Sequence, residues 1–63
     1  MGNIMYEQGK KLVLRETNRE RRVIIEDLVA DDEGNKLRVR DLETNSMRTI
    51  DPTKMTIVED LED

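Results

Sequence analysis

Six arginines, Arg15, Arg19, Arg21, Arg22, Arg38 and Arg40, carry the main candidate binding chemistry of the chain. Four of them fall in Arg15-Glu16-Thr17-Asn18-Arg19-Glu20-Arg21-Arg22, against two glutamates. A guanidinium is a planar fork of donors that fits phosphate and carboxylate alike. The segment is therefore expected to be a basic loop that contacts either a nucleic-acid backbone or an acidic protein surface. The acidic candidates are Glu26-Asp27 and Asp31-Asp32-Glu33. Paired carboxylates run acid–base chemistry only when their surroundings push their pKa values apart. Neighbours on a strand point to opposite faces and turns are open to water, so both clusters read as solvated acids. Nor do they spell a calcium loop, because placing Gly34 sixth in an EF-hand puts Val29 first. The chain has neither cysteine nor histidine, which removes the commonest nucleophile, proton shuttle and zinc ligands. No catalytic residue, cofactor or metal is expected, and the protein is expected not to be an enzyme.

Charge is blocked along the chain rather than mixed. Residues 1–24 hold six bases and three acids, 25–35 five acids and no base, 36–48 four bases and two acids, and 49–63 five acids and one base. Once strands fold beside one another such blocks become neighbouring patches. One use is cross-strand pairing, which contributes roughly 0.2–1 kcal/mol for each facing pair. The other is a surface for a partner.

The elements that must position these groups are short. Lys11-Leu12-Val13-Leu14-Arg15-Glu16 and Val23-Ile24-Ile25-Glu26-Asp27-Leu28-Val29 are β-branched-rich runs too brief for helices, so both are expected to be strands. Lys36-Leu37-Arg38-Val39-Arg40 alternates, which predicts Leu37 and Val39 inside and Lys36, Arg38 and Arg40 in water. Between the second and third runs, Asp31-Asp32-Glu33-Gly34-Asn35 predicts a hairpin turn in which Gly34 takes positive φ. Thr44-Asn45-Ser46 predicts a second turn, leading to a strand at Met47-Arg48-Thr49-Ile50. Asp51-Pro52-Thr53-Lys54-Met55 follows, with a capping aspartate and a proline pre-set for the first position of a turn or short 3₁₀ segment. A last strand, Thr56-Ile57-Val58-Glu59, precedes an acidic end. The expected core is Leu12, Leu14, Val23, Ile25, Leu28, Leu37, Val39, Ile50, Met55 and Ile57.

This order of elements resembles the small SH3-like barrels, the Tudor, KOW and SH3 groups. A glycine stands before a first strand (Gly9 to Leu14), and a variable loop, a long second strand and two tight hairpins follow. The segment Asp51-Pro52-Thr53-Lys54-Met55-Thr56-Ile57-Val58 is similar to the turn and final strand of those families. The resemblance implies an all-β fold: a five-stranded, partly open SH3-like barrel over residues 8–60, with a short 3₁₀ turn before the last strand. Residues 1–7 are expected to be a flexible lead and 61–63 an acidic tail. The families' ligand sites do not carry over. An SH3 groove for proline-rich helices and a methyl-lysine cage both need several aromatics, and this chain has only Tyr6. The plasmid-borne dihydrofolate reductases show that such barrels can be enzymes, yet their Val-Gln-Ile-Tyr segment has no counterpart here.

Apolar runs never exceed three residues, which rules out a signal-peptide core and a membrane-spanning helix. The opening Met-Gly-Asn-Ile-Met-Tyr lacks the Ser or Thr that N-myristoylation wants at Tyr6, and reads as an alternative start or a vector-derived extension. A cytosolic protein is expected. Two function classes stay open. The favoured one is a protein-binding or regulatory module acting through charged patches and a sheet edge, as a monomer or an edge-paired homodimer. The alternative is a KOW- or Tudor-like nucleic-acid-binding module using the arginines on phosphates. A pI near 4.8 weighs against the alternative.

Overall fold

A computed structural model describes residues 5–60. Five antiparallel strands run through them: β1 (Lys11–Glu16), β2 (Arg19–Asp31), β3 (Gly34–Asp41), β4 (Met47–Ile50) and β5 (Thr56–Glu59). They lie side by side in the order β4-β3-β2-β1-β5, and no helix occurs among the described residues. The all-β expectation holds, with β1, β4 and β5 bounded as their residue patterns predict. Residues 1–4 of the expected lead and the tail 61–63 lie outside the described residues.

The core follows from alternation. Register sets Leu12 opposite Val23, Ile25 opposite Val39 and Leu37 opposite Ile50, so each inward residue meets another across the ladder. With Leu14 these form one cluster, every member at 5% exposure or less, and Tyr6, Met55 and Ile57 pack around it. Each fully buried aliphatic side chain contributes roughly 1.5–3 kcal/mol.

Leu28 departs from the expected core, at 50% exposed. The ladder between β2 and β3 slips between Ile25 and Asp27, leaving Glu26 without an opposite number. A bulge of this kind bends the strand and resets which residues face inward. Leu28 therefore stands opposite Leu37 but past the end of the packed cluster.

The expected basic loop at 15–22 is also corrected. Arg15 pairs with Glu20 and Glu16 with Arg19 in register, so β1 and β2 run on until only Thr17 and Asn18 are left to turn. Of the two pairs, Arg15 and Glu20 are in contact at 3.1 Å, and opposite charges facing each other across strands favour continuing the ladder. The arginines thus stand on paired strands.

Gly34 does have positive φ, at 121°, while Asp32 and Glu33 between the strands keep negative φ. With Asp31 paired to Gly34, the turn is the two residues Asp32 and Glu33, closed by a glycine of positive φ. At the next hairpin Asn45 takes φ 64°. The expected 3₁₀ segment is instead a turn: Lys54 N donates to Asp51 O at 3.1 Å, and the Thr53 N–H and hydroxyl donate to Asp51 Oδ1 at 2.9 and 2.6 Å. Asp51 satisfies the donors itself, so no helical turn propagates.

The sheet is not closed by backbone hydrogen bonds, leaving β4 and β5 as its edge strands. A side-chain link bridges the opening: Arg48 of β4 donates to Glu16 of β1 at 3.0 Å.

Candidate binding site

One end of the core is capped by charge. Glu16, Arg21, Asp41 and Arg48 each sit two residues beyond a buried apolar neighbour, Leu14, Val23, Val39 and Ile50 respectively, so strand alternation turns all four toward the same side. Arg21 donates to Asp41 Oδ2 at 2.7 Å and lies 3.9 Å from Glu16, which also accepts from Arg48. Asp41 is 3% exposed and fully engaged, since its other oxygen accepts from the N–H groups of Glu43 and Thr44 at 2.8 and 3.3 Å. The Glu43 N–H and the Arg21 guanidinium hold its carboxyl below the usual aspartate range, outweighing burial.

The six arginines do not converge. Arg15 pairs with Glu20 at 3.1 Å, Arg21 belongs to the cap, Arg22 lies 3.4 Å from Asp60, and Arg40 meets Glu26 at 2.7 Å. The Glu26 oxygen facing Arg40 is shielded from water yet makes no aligned hydrogen bond, so that contact is a pure ion pair. Arg19 and Arg38 have no carboxylate within reach among the described residues. A depression of about 500 Å³ on the outer face contains Val13 and Val58 between Arg15 and Arg22, both already paired.

Lys36 was expected in water and is instead 9% exposed. Its ammonium folds back on the acidic hairpin, 3.1 and 3.2 Å from the two Asp31 oxygens and 3.4 Å from Glu33. The Asp31 contact raises the Lys36 pKa, while the Glu33 N–H and then Lys36 lower that of Asp31. The pattern of alternation marks Lys36 as outward, but cannot show an ammonium finding two carboxylates in its own turn.

Beside this hairpin β2 has an open edge. Pairing with β1 ends at Lys11 and Ile24, and Gly9 N and Lys10 O add one last pair of bonds to Ile25. Beyond that, among the described residues, β2 continues to Asp31 with β3 alone beside it. Leu28 N–H is taken by Asp27 Oδ1 at 2.9 Å, so it points away from β3. In an antiparallel ladder the carbonyl of the same residue, and both groups of the residue two further on, point the same way. Leu28 and Ala30 thus form the free edge. Next to it lies a groove of about 440 Å³ whose apolar wall is Met5, Tyr6, Leu28, Leu37 and Pro52. Met5 and Leu28 are 68% and 50% exposed.

Comparison with known proteins adds no relative: no family model matches the chain, and no curated protein or solved structure matches it.

Residue reasoning missed both the cap and the groove. The cap was legible, because 12-14-16, 21-23-25, 37-39-41 and 48-50 are unbroken period-2 series that end in charge. The groove was not, since it depends on the bulge at Glu26 and on where Tyr6 packs.

Proposed function

We propose that the protein is a small non-enzymatic protein-binding or regulatory module of the SH3-like barrel kind, engaging its partner through a sheet edge and the charged surface around it. The observation that carries this reading is the free edge of β2 at Leu28 and Ala30, set beside the exposed side chains of Leu28 and Met5. Unpaired edge groups are templates for an added strand, and grouped exposed apolar side chains mark contact surfaces. The meander of β1 to β4, with β5 returning to pair with β1, and the Pro52 turn support the architectural part.

The nucleic-acid alternative keeps little. Four of its six arginines are occupied by acids, and the two without a carboxylate partner are far apart. Arg19 stands opposite Glu16, whereas Arg38 stands opposite Asp27, eight positions further along β2, or about 26 Å at 3.3 Å per residue. Such spacing makes no continuous phosphate track. Titration of the full chain with RNA and duplex DNA at about 150 mM salt, alongside capture of partners with and without nuclease, tests the reading. Capture of protein that survives nuclease, with neither nucleic acid bound, is expected. Tight nucleic-acid binding abolished by Arg19→Ala with Arg38→Ala would replace it with the alternative.

A further inference from the structure

We propose that the free edge of β2 at residues 28–30 takes an extended, lysine- or arginine-rich segment of a partner protein as an added strand, with one large apolar side chain of that segment seated in the adjoining groove. This rests on the protein-binding reading above and names its site and the partner's chemistry.

Backbone geometry defines the site. The bulge at Glu26 shifts the β2 alternation by one, so that Ile25 spends its outward groups on Gly9 and Lys10 while Leu28 and Ala30 present theirs to solvent. Among the described residues, the Leu28 carbonyl and both Ala30 groups have no backbone partner on that side, and the Leu28 N–H is held by the neighbouring Asp27 carboxylate. Strand addition uses such main-chain groups for affinity and pockets for alternate side chains for specificity. The pocket is the groove of Met5, Tyr6, Leu28, Leu37 and Pro52, and its volume of about 440 Å³ lies within the range of ordinary ligand sites.

Charge decides the occupant. The hairpin from Glu26 to Arg38 carries five acids against Lys36 and Arg38. Arg40 engages Glu26, and Lys36 engages Asp31 and Glu33, which leaves Asp32 with no cation in contact among the described residues, and Asp27 with Arg38 opposite it in register but not in contact. Asp27 guards the edge in the free protein. When an incoming carbonyl accepts the Leu28 N–H, the Asp27 carboxylate is released to meet a cation on the arriving strand. A second copy fits poorly: antiparallel pairing centred on Val29 would set Asp27 against Asp31 of the other molecule, and like charges directly opposite are destabilising.

A synthetic peptide of about eight residues alternating Lys and Val, with a Glu and Val peptide as control, tests this by amide hydrogen exchange and titration on the full chain. The Lys peptide should slow exchange at Leu28 and Ala30 by about tenfold or more, and bind more weakly as salt rises. Ala30→Pro removes an edge donor that β3 does not use, so it should weaken binding by about tenfold while the dichroism spectrum stays β. Leu28→Ser, which leaves the backbone intact, should also weaken binding. Equal binding of the Glu peptide, protection confined to β4 or β5, self-association that protects the same two amides, or affinity unmoved by both variants would overturn the proposal. Nuclease-resistant partner capture that survives Ala30→Pro and Leu28→Ser would sink this site and leave the protein-binding reading standing. Loss of capture by the unaltered chain sinks both.

Discussion

Gly34 and Arg21 show how much a single position can weigh in a sheet this small. Gly34 holds φ 121° with open space where a Cβ would stand, so any penalty for a side chain there is backbone strain and not collision. Gly34→Val is expected to destabilise the fold by roughly 1–2 kcal/mol, seen as a lower melting temperature by dichroism. An unchanged melting temperature would mean that the hairpin closes in some other register. The arginines separate in the same way. Arg19 is exposed with no carboxylate in reach, and Arg19→Ala should stay within about 0.5 kcal/mol of the parent. Arg21→Ala strips the guanidinium from Asp41, a side chain only 4% exposed, and leaves a shielded carboxylate short of its cation. Its melting temperature should fall well below that of Arg19→Ala. Equal melting points for the two would show that the Arg21 contact contributes nothing to the fold.

The strands were the most legible elements, because short β-branched runs broken by Gly34 and Asn45 leave few alternatives. The ends of β2 and the bulge were not legible. Ile25-Glu26-Asp27-Leu28 bears no local mark of a register slip, which arises only when β2 is laid against β3. The apparent loop at 15–22 is likewise ladder, with the Arg15–Glu20 contact across it, an arrangement that belongs to the pair of strands and not to either alone. The charged cap joins four strands, and its Asp41 shares the fold's pH dependence with Asp31 of the acidic hairpin and Asp51 of the Pro52 turn. Asp41, Asp31 and Asp51 all have folded pKa values below the ordinary value near about 3.9, so their stabilisation is complete above that value and is lost as pH falls through the lower, folded values. Lys36 is shifted upward, so its contribution holds below about 10.4 and fades as pH rises past it. Urea midpoints measured from neutral pH downward should drop below about pH 4, and Asp41→Asn should flatten that acid limb. An acid limb of the same slope in Asp41→Asn would assign the loss to other groups.

For the whole molecule the governing quantity is the smallness of its core. A 63-residue chain buries only about 60% of the surface its unfolded state exposes, and cores of this size rarely supply more than about 3–5 kcal/mol. The radius of gyration, 11.2 Å, is close to the roughly 10.6 Å expected of a compact chain of this length, so no second core is hidden elsewhere among the described residues. One cluster of seven buried apolar residues must therefore hold all five strands, with Tyr6, Met55 and Ile57 sealing its margins. Leu12 has no exposed surface and stands where β1 meets both β2 and β5, opposite Val23 on one side and Glu59 on the other. Removing its side chain beyond Cβ costs about 2–5 kcal/mol in a core that cannot collapse fully around the gap. That is as large as the whole stability available, so Leu12→Ala should be unfolded or nearly so at about 25 °C, in one cooperative step that takes the β2 edge and the charged cap with it. Leu28→Ala provides the contrast. The bulge leaves this leucine half exposed, and its truncation should cost less than about 1 kcal/mol while the sheet persists. Dichroism and urea unfolding of the two variants side by side decide the matter. A folded Leu12→Ala would mean that the margins, and not the seven-residue cluster, carry the fold, whereas an unfolded Leu28→Ala would place that leucine in the core after all.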